Sequence, residues 1–381
     1  MRHRLVTLGL LACLTAALAE AQTPQPSAEV DGFVHVELTL AGQEISVAYP
    51  PDLSADDGAH QLLLSGTVGA RVRVGYLEAH RALRIGSRSP GLSPPTLPES
   101  DTDADDDDGA EEHASTRGDE LWLVRDSEGW KFEAHTGDGD DVSIIPLTHR
   151  ATETESATFT ASVHATAAEA GRLKLRWGRH AWSTDFRFDE LPPTPRRPRV
   201  SGRGRARQPD TDTTALSRRT AISERNETAL VFPDGSRIAV LYWKGIDIED
   251  EDYGRLSTTA DGAVVQLIRA APLRLKTDVS LRFGQTEVPA GNLAPGFAGA
   301  YAVWLRKAGN AWRLAFNDEP DSWGTQHDPS FDRAEVDADY ERGHGSFRPL
   351  AVTLVPTSAE SGQLVVHWGP HEWTADFAID R

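Results

Sequence analysis

The sequence predicts an all-β protein made of two tandem antiparallel β-sandwich-like domains related by internal duplication. Three observations carry this expectation. Apolar and polar residues alternate with a period of two over short runs, as in a strand with one buried face. Gly, Pro and Asp separate those runs, as turns require. Finally, one block is written twice: Gly171–Asp189 aligns without a gap to Gly362–Asp380, and nine positions are identical, namely Gly, Leu, Trp, Gly, His, Trp, Asp, Phe and Asp.

The elements follow in order. Val34, Val36, Leu38 and Leu40 alternate with His35, Glu37 and Thr39, and Ile45, Val47 and Tyr49 resume after a turn at Ala41-Gly42. This pair reads as a hairpin. Gly42–Tyr49 matches Gly235–Tyr242 at an offset of 193, and Gly69-Ala70 with Val72 matches Gly262-Ala263 with Val265 at the same offset. Pro233-Asp234-Gly235 is a turn, because proline presets φ and glycine accepts a positive one. Trp122-Leu123 and Trp130-Lys131-Phe132 match Trp304-Leu305 and Trp312-Arg313-Leu314 at an offset of 182. In the closing block Leu173, Leu175 and Trp177 face one way while Arg172, Lys174 and Arg176 face the other. The matching blocks keep their order and only loop lengths differ, which fits one fold used twice. A short helix is expected near Asp328–Asp339.

Bulk properties bound the setting. Arg2 and Arg4, an apolar run Leu5–Leu18, and Ala19-Glu20-Ala21 read as a signal peptide over residues 1–21, cleaved after Ala21. The protein is therefore expected to be exported, periplasmic or extracellular; lipoprotein anchoring at Cys13, within Leu10-Leu11-Ala12-Cys13, is the alternative. Cys13 is the single cysteine, so a chain cleaved after Ala21 has neither disulfides nor thiolate chemistry. Cleavage removes two arginines and one glutamate and takes the formal charge from −19 to −20. That balance argues against nucleic acid and anionic membrane surfaces as partners. No later segment is apolar enough to span a membrane as a helix. The first β domain is expected over 22–190 and the second over 225–381, each with its own core. Two segments stand outside the sheets: a disordered acidic insertion at 99–118, centred on Asp105–Asp108, and a Pro/Arg-rich linker at 191–224.

The second half resembles a bacterial exported family, domain of unknown function 2911, over roughly Thr228 to the C-terminus. The residues that carry the resemblance are Val288-Pro289-Ala290-Gly291, Gly299-Ala300-Tyr301, the strand from Trp312 to Phe316-Asn317, Asp321-Ser322-Trp323-Gly324, and Leu364–Trp368. The first half is similar to it only through the duplication and has no counterpart of Trp323-Gly324. The family's polar run after the early strands is replaced here by Arg269–Leu273. The resemblance implies architecture and export; it brings no activity, cofactor or site residue.

Candidate sites were weighed against structural readings. Trp-Gly-x-His-x-Trp occurs at Trp177–Trp182 and Trp368–Trp373. A histidine near Asp185 or Asp376 suggests metal or acid–base chemistry, but the spacing favours a hairpin with Trp177 opposite Trp182 and His180 in the turn. The better functional candidate is the polar loop holding Asp318, Asp321, Trp323 and His327, which suits glycan stacking or a weak cation contact. His367 and His371 have a spacing that unites ligands only on a helix, and here the stretch reads as strand and turn. Asp101, Asp103, Asp105, Asp107 and Glu112 fit an EF-hand register, but Asp106 stands where glycine is required. Asn226-Glu227-Thr228 matches a glycosylation sequon. No local serine-hydrolase, phosphate-loop or zinc-protease motif is present. No metal or cofactor is therefore expected. The leading expectation is a noncatalytic ligand- or partner-binding module of the cell envelope, with a glycan or an envelope protein as partner. A hydrolase acting on an envelope polymer or glycan through the Trp323 loop, and a structural spacer, are the alternatives.

Overall fold

The computed structural model describes residues 32–65, 67, 69–79, 83–85, 118–136, 141–188, 225–268, 271–290, 300–319, 327–343 and 349–380. The expected signal peptide at 1–21, the expected linker at 191–224 and all of the acidic insertion at 99–118 except Gly118 lie outside them. The described chain is almost entirely antiparallel β. The first half contains β1 (Val34–Leu40), β2 (Gln43–Tyr49), α1 (Gly58–Leu64), β3 (Ala70–Ala79), β4 (Leu83–Ile85), β5 (Asp119–Asp126), β6 (Gly129–His135), β7 (Val142–Ala167) and β8 (Ala170–Phe188). The second contains β9 (Arg225–Val231), β10 (Arg237–Trp243), α2 (Glu251–Thr258), β11 (Leu273–Thr277), β12 (Ser280–Phe283), β13 (Thr286–Val288), β14 (Ala300–Ala308), β15 (Ala311–Asn317), β16 (Asp332–Arg342), β17 (Ala351–Ser358), β18 (Ser361–Trp368) and β19 (His371–Asp380).

Hydrogen bonding runs as one open ladder. From β4 it passes through β8, β7, β6, β5, β3 and β2 to β1. It continues from β1 through β9, β10, β11, β14, β15, β16, β19 and β18 to β17. The β12–β13 hairpin extends from the far end of β19. The joint between the halves is β1 with β9, where Val36 faces Leu230 and Leu38 faces Thr228. Arg237 crosses the joint, donating to Glu37 and Glu227, and Asn226 accepts from the Ala41 N–H at 3.1 Å. Most buried apolar side chains of both halves form one continuous cluster; Ala271, Ala302, Trp304 and Ala315 form a small second one. The reason is the β1–β9 pairing: a sheet that continues across the joint carries its apolar face across with it.

Local chemistry explains the elements. β1 alternates buried and half-buried along its whole length. The β1–β2 turn puts Ala41 at φ 52° and Gly42 at φ 79°, the double left-handed geometry of a tight hairpin. The helix expected at Asp328–Asp339 is corrected: a 3₁₀ turn at Pro329–Phe331 leads straight into β16. Val336 and Ala338 are buried while Asp337 and Asp339 are exposed, a period of two that overrides the good helix formers present. Two short helices escaped the sequence reading because seven and eight residues give too few turns for a stripe. Their caps were visible: Asp57 accepts from the Ala59 N–H, and Asp250 from that of Asp252.

The register of the repeated block also corrects the sequence reading. β18 and β19 join through a two-residue turn that sets Trp368 opposite His371 and Trp373 opposite Val366. The tryptophans are therefore diagonal neighbours on one face, not a directly opposed pair, and His371 opens a strand instead of occupying the turn. A left-handed Gly369, φ 60°, makes this tighter turn feasible, and Gly178 has the same φ sign at 58°.

Gly75 marks the sharpest steric constraint. It sits where β3 shifts register against β5, and a Cβ there would lie 1.9 Å from the Ala48 carbonyl oxygen. Because that obstacle is backbone, no rotamer change relieves it. Gly75→Ala is expected to cost about 3 kcal/mol or more, read as a lower urea midpoint. An unchanged midpoint would show that β2 and β3 are not so closely apposed.

Candidate functional site

The loop singled out from sequence is only partly within the described residues: Asp318 and His327 are, Asp321 and Trp323 are not. His327 follows that loop and is held by a polar network on β14, β15 and β16. Its Nε2 lies 2.7 Å from Asp332 Oδ1. Asp332 also accepts from Arg306 Nη2 at 2.6 Å and from Asn317 Nδ2 at 2.9 Å. Arg306 donates in addition to Glu335, and the His327 ring stands edge-on to Trp304 with centroids 5.3 Å apart. Asp318 belongs to the neighbouring turn, where its N–H donates to the Phe331 carbonyl at 2.9 Å. Its charge, after burial, helps to push the Tyr301 hydroxyl up. An Asp332 carboxylate already accepting three charged or polar donors is committed to joining strands.

The other histidines separate by face. His371 receives or gives a hydrogen bond with the Tyr340 hydroxyl at 2.7 Å and stacks on Trp373. His367 points the opposite way and meets Glu372 at 3.1 Å. The two-residue turn between β18 and β19 pairs His371 with Trp368, so His371 shares the face of Trp368 while His367 lies on the other. Among the described residues no group of three or more His, Cys, Asp or Glu is placed to hold a metal ion.

A cavity of about 600 Å³ lies between the halves, and sequence reasoning missed it. Its walls are the outward faces of β7 and β8 on one side and of β17 and β18 on the other. At the offset of 191, His164, Arg172, Lys174 and Arg176 of the first wall align with Val355, Gln363, Val365 and His367 of the second, and all eight line the cavity. Glu372 of β19, Arg150 and Glu153 complete its charged lining. The wall from the first half is predominantly basic; the one from the second is partly apolar, with Glu372 as its only carboxylate among the described lining.

The halves touch through this site. His164 sits between Ser162 Oγ, 2.9 Å from Nε2, and Thr353 Oγ1, 3.2 Å from Nδ1. Its ring lies 6.5 Å from that of His367. Burial, then the charge of Lys174, pushes His164 well below the ordinary histidine range and His367 down to about 4. Burial and Arg172 likewise pull Lys174 down, with Glu372 opposing. Arg172 is held by Asp185 through contacts of 2.6 and 3.2 Å. Arg176 donates to the Thr154 carbonyl at 3.2 Å, and its Nε is buried with no hydrogen-bond acceptor among the described residues. One signal of this face existed in the sequence: Val365 occupies a position that alternation assigns to solvent, and an apolar residue there implies a cover.

The fold and this cavity define an all-β protein whose two halves enclose a polar cleft, with no helix among the described residues long and apolar enough to cross a membrane. No family model matches the chain, and neither a curated protein nor a solved structure matches it.

Proposed function

We propose that the chain is an exported, noncatalytic module of the cell envelope or extracellular space that binds a ligand in the cleft between its halves. The cavity carries this reading: its volume of about 600 Å³ suits a small ligand, and it exists only where two outward sheet faces meet. The resemblance to domain of unknown function 2911 belongs to the proposal through architecture and export. So does the duplication. Its support is the repeated pairing: β7 with β8 sets Ala161 opposite Leu175, and β17 with β18 sets Val352 opposite Val366, the same register 191 residues on.

Binding is tested with the mature chain by a thermal-shift screen of small metabolites and envelope oligosaccharides. A cleft ligand at about 100 times its Kd adds roughly 2.7 kcal/mol of stability. That gain is expected to vanish in Val365→Trp, which fills the cleft. Hits that stabilise both proteins equally would place binding elsewhere, and a screen without hits would favour the structural spacer. The hydrolase reading keeps one observation of its own, the 2.7 Å contact of His327 with Asp332. Product release from an envelope glycan that disappears in Asp321→Asn would replace the noncatalytic reading with it.

A further inference from the structure

We infer that the cleft selects an anion, a small ligand bearing carboxylate or phosphate groups; the inference rests on the cleft being the binding site. The lining sets four basic side chains, Arg150, Arg172, Lys174 and Arg176, against two carboxylates, Glu153 and Glu372. This is a local reversal of sign in a chain of formal charge −19. A cleft with low-dielectric walls focuses such a charge imbalance toward its interior.

The four cations are not equivalent. Arg172 is neutralised by the forked contact with Asp185. Arg150 is exposed and makes no ion pair among the described residues. Arg176 donates through Nη2 to the Thr154 carbonyl at 3.2 Å and makes no ion pair among the described residues. Lys174 is pulled down from its ordinary range by burial and by Arg172. An anion seated among Arg150, Lys174 and Arg176 offsets the repulsion between these cations.

The opposite wall sets the rest of the ligand. Val355, Gln363 and Val365 bring no charge and Glu372 repels an anion, so the ligand turns its anionic edge to β8 and an uncharged face to β18. The aligned positions make this asymmetry plain: Lys174 corresponds to Val365 and Arg176 to His367. A symmetric pair of basic walls would have repelled itself; one basic wall facing a largely uncharged one can close on a single anionic group.

The test is calorimetric titration of the mature protein with citrate, glucose 6-phosphate, digalacturonate and, as the neutral control, maltose. At least one anionic probe is expected to bind, about tenfold more weakly in Lys174→Gln and in Arg150→Gln, and more weakly in higher salt. Arg150→Gln alters only an exposed side chain, so it reads out binding even where a cleft variant folds poorly. Citrate and digalacturonate without glucose 6-phosphate identify a carboxylate ligand, and the reverse identifies a phosphate. Maltose binding that is blocked by Val365→Trp but indifferent to Lys174→Gln would overturn the anion while leaving the cleft as the site. Anion binding undiminished in Val365→Trp, or no anion binding at all, would also overturn the inference. In the last case the cleft itself stands or falls with the wider screen.

Discussion

Trp373→Ala is expected to lower stability by about 3–5 kcal/mol, as for other buried aromatic truncations. Its ring is fully buried at 0% exposure. It packs edge-on to Trp312 with centroids 5.5 Å apart, and against Tyr340 and His371 at 5.8 and 5.7 Å. In the first half Trp182 has the same company: Trp130 at 5.1 Å, His149 at 5.5 Å and His180 at 5.8 Å. Because the core is continuous across the β1–β9 joint, Trp182→Ala and Trp373→Ala should each move one common urea transition. Loss of one half before the other, seen as two separate transitions, would show that the halves are energetically independent. The Nε1–H of each tryptophan is buried with no acceptor among the described residues, so Trp373→Phe should cost distinctly less than Trp373→Ala. The comparison separates apolar packing from hydrogen bonding.

Acid should weaken the molecule well before its carboxylates titrate. His367 is held down to about 4 by burial and by Lys174, against about 6.5 in an unfolded chain. Between those values the unfolded state binds more protons, so stability falls as pH drops from about 6.5 towards 4. His367 alone accounts for about 3 kcal/mol when the whole window is crossed. His164 shifts in the same direction, as do the half-buried His149, His180 and His371. Glu372 opposes them, since burial pushes it up, but with a side chain 43% exposed it is the weaker influence. Urea midpoints at pH 7.5, 6.0 and 5.0 should decline in step, and His367→Asn should flatten the decline. A midpoint constant across this range would mean that water reaches the histidines and the halves do not seal. The anion inferred for the cleft should also flatten it, because an anion beside His164 and His367 raises their proton affinity.

The repeated block shows how far local sequence reached. Leu173 and Leu364 are buried as alternation demands. Gly178 and Gly369 are left-handed, and Gly171 and Gly362 lie beneath the rings of Phe186 and Phe377, whose Cζ atoms would stand 2.3 and 2.7 Å from an added Cβ. Asp185 accepts from Arg172 and Asp376 from Gln363, so both aspartates tie adjacent strands. These repeated positions thus serve the fold, which is why the motif pointed to fold more strongly than to chemistry. The loop with Asp318 and His327 was a weaker guide. It led to His327, but the residues that occupy this histidine come from β14 (Arg306, Trp304) and β16 (Asp332), the strands on either side of β15.

The sequence by itself determined most strands, their inner faces and hairpins such as Ala41-Gly42, because period-two alternation and the freedom of glycine act between residues a few positions apart. Tertiary structure decided what covers the outer faces. Arg172, Lys174 and Arg176 read as a solvent face from β8 alone; they line a cleft because β17 and β18, nearly two hundred residues away, fold over them. Burial of a face is a property of the surface that meets it, and that surface is fixed by the β1–β9 pairing and the packing of one half on the other.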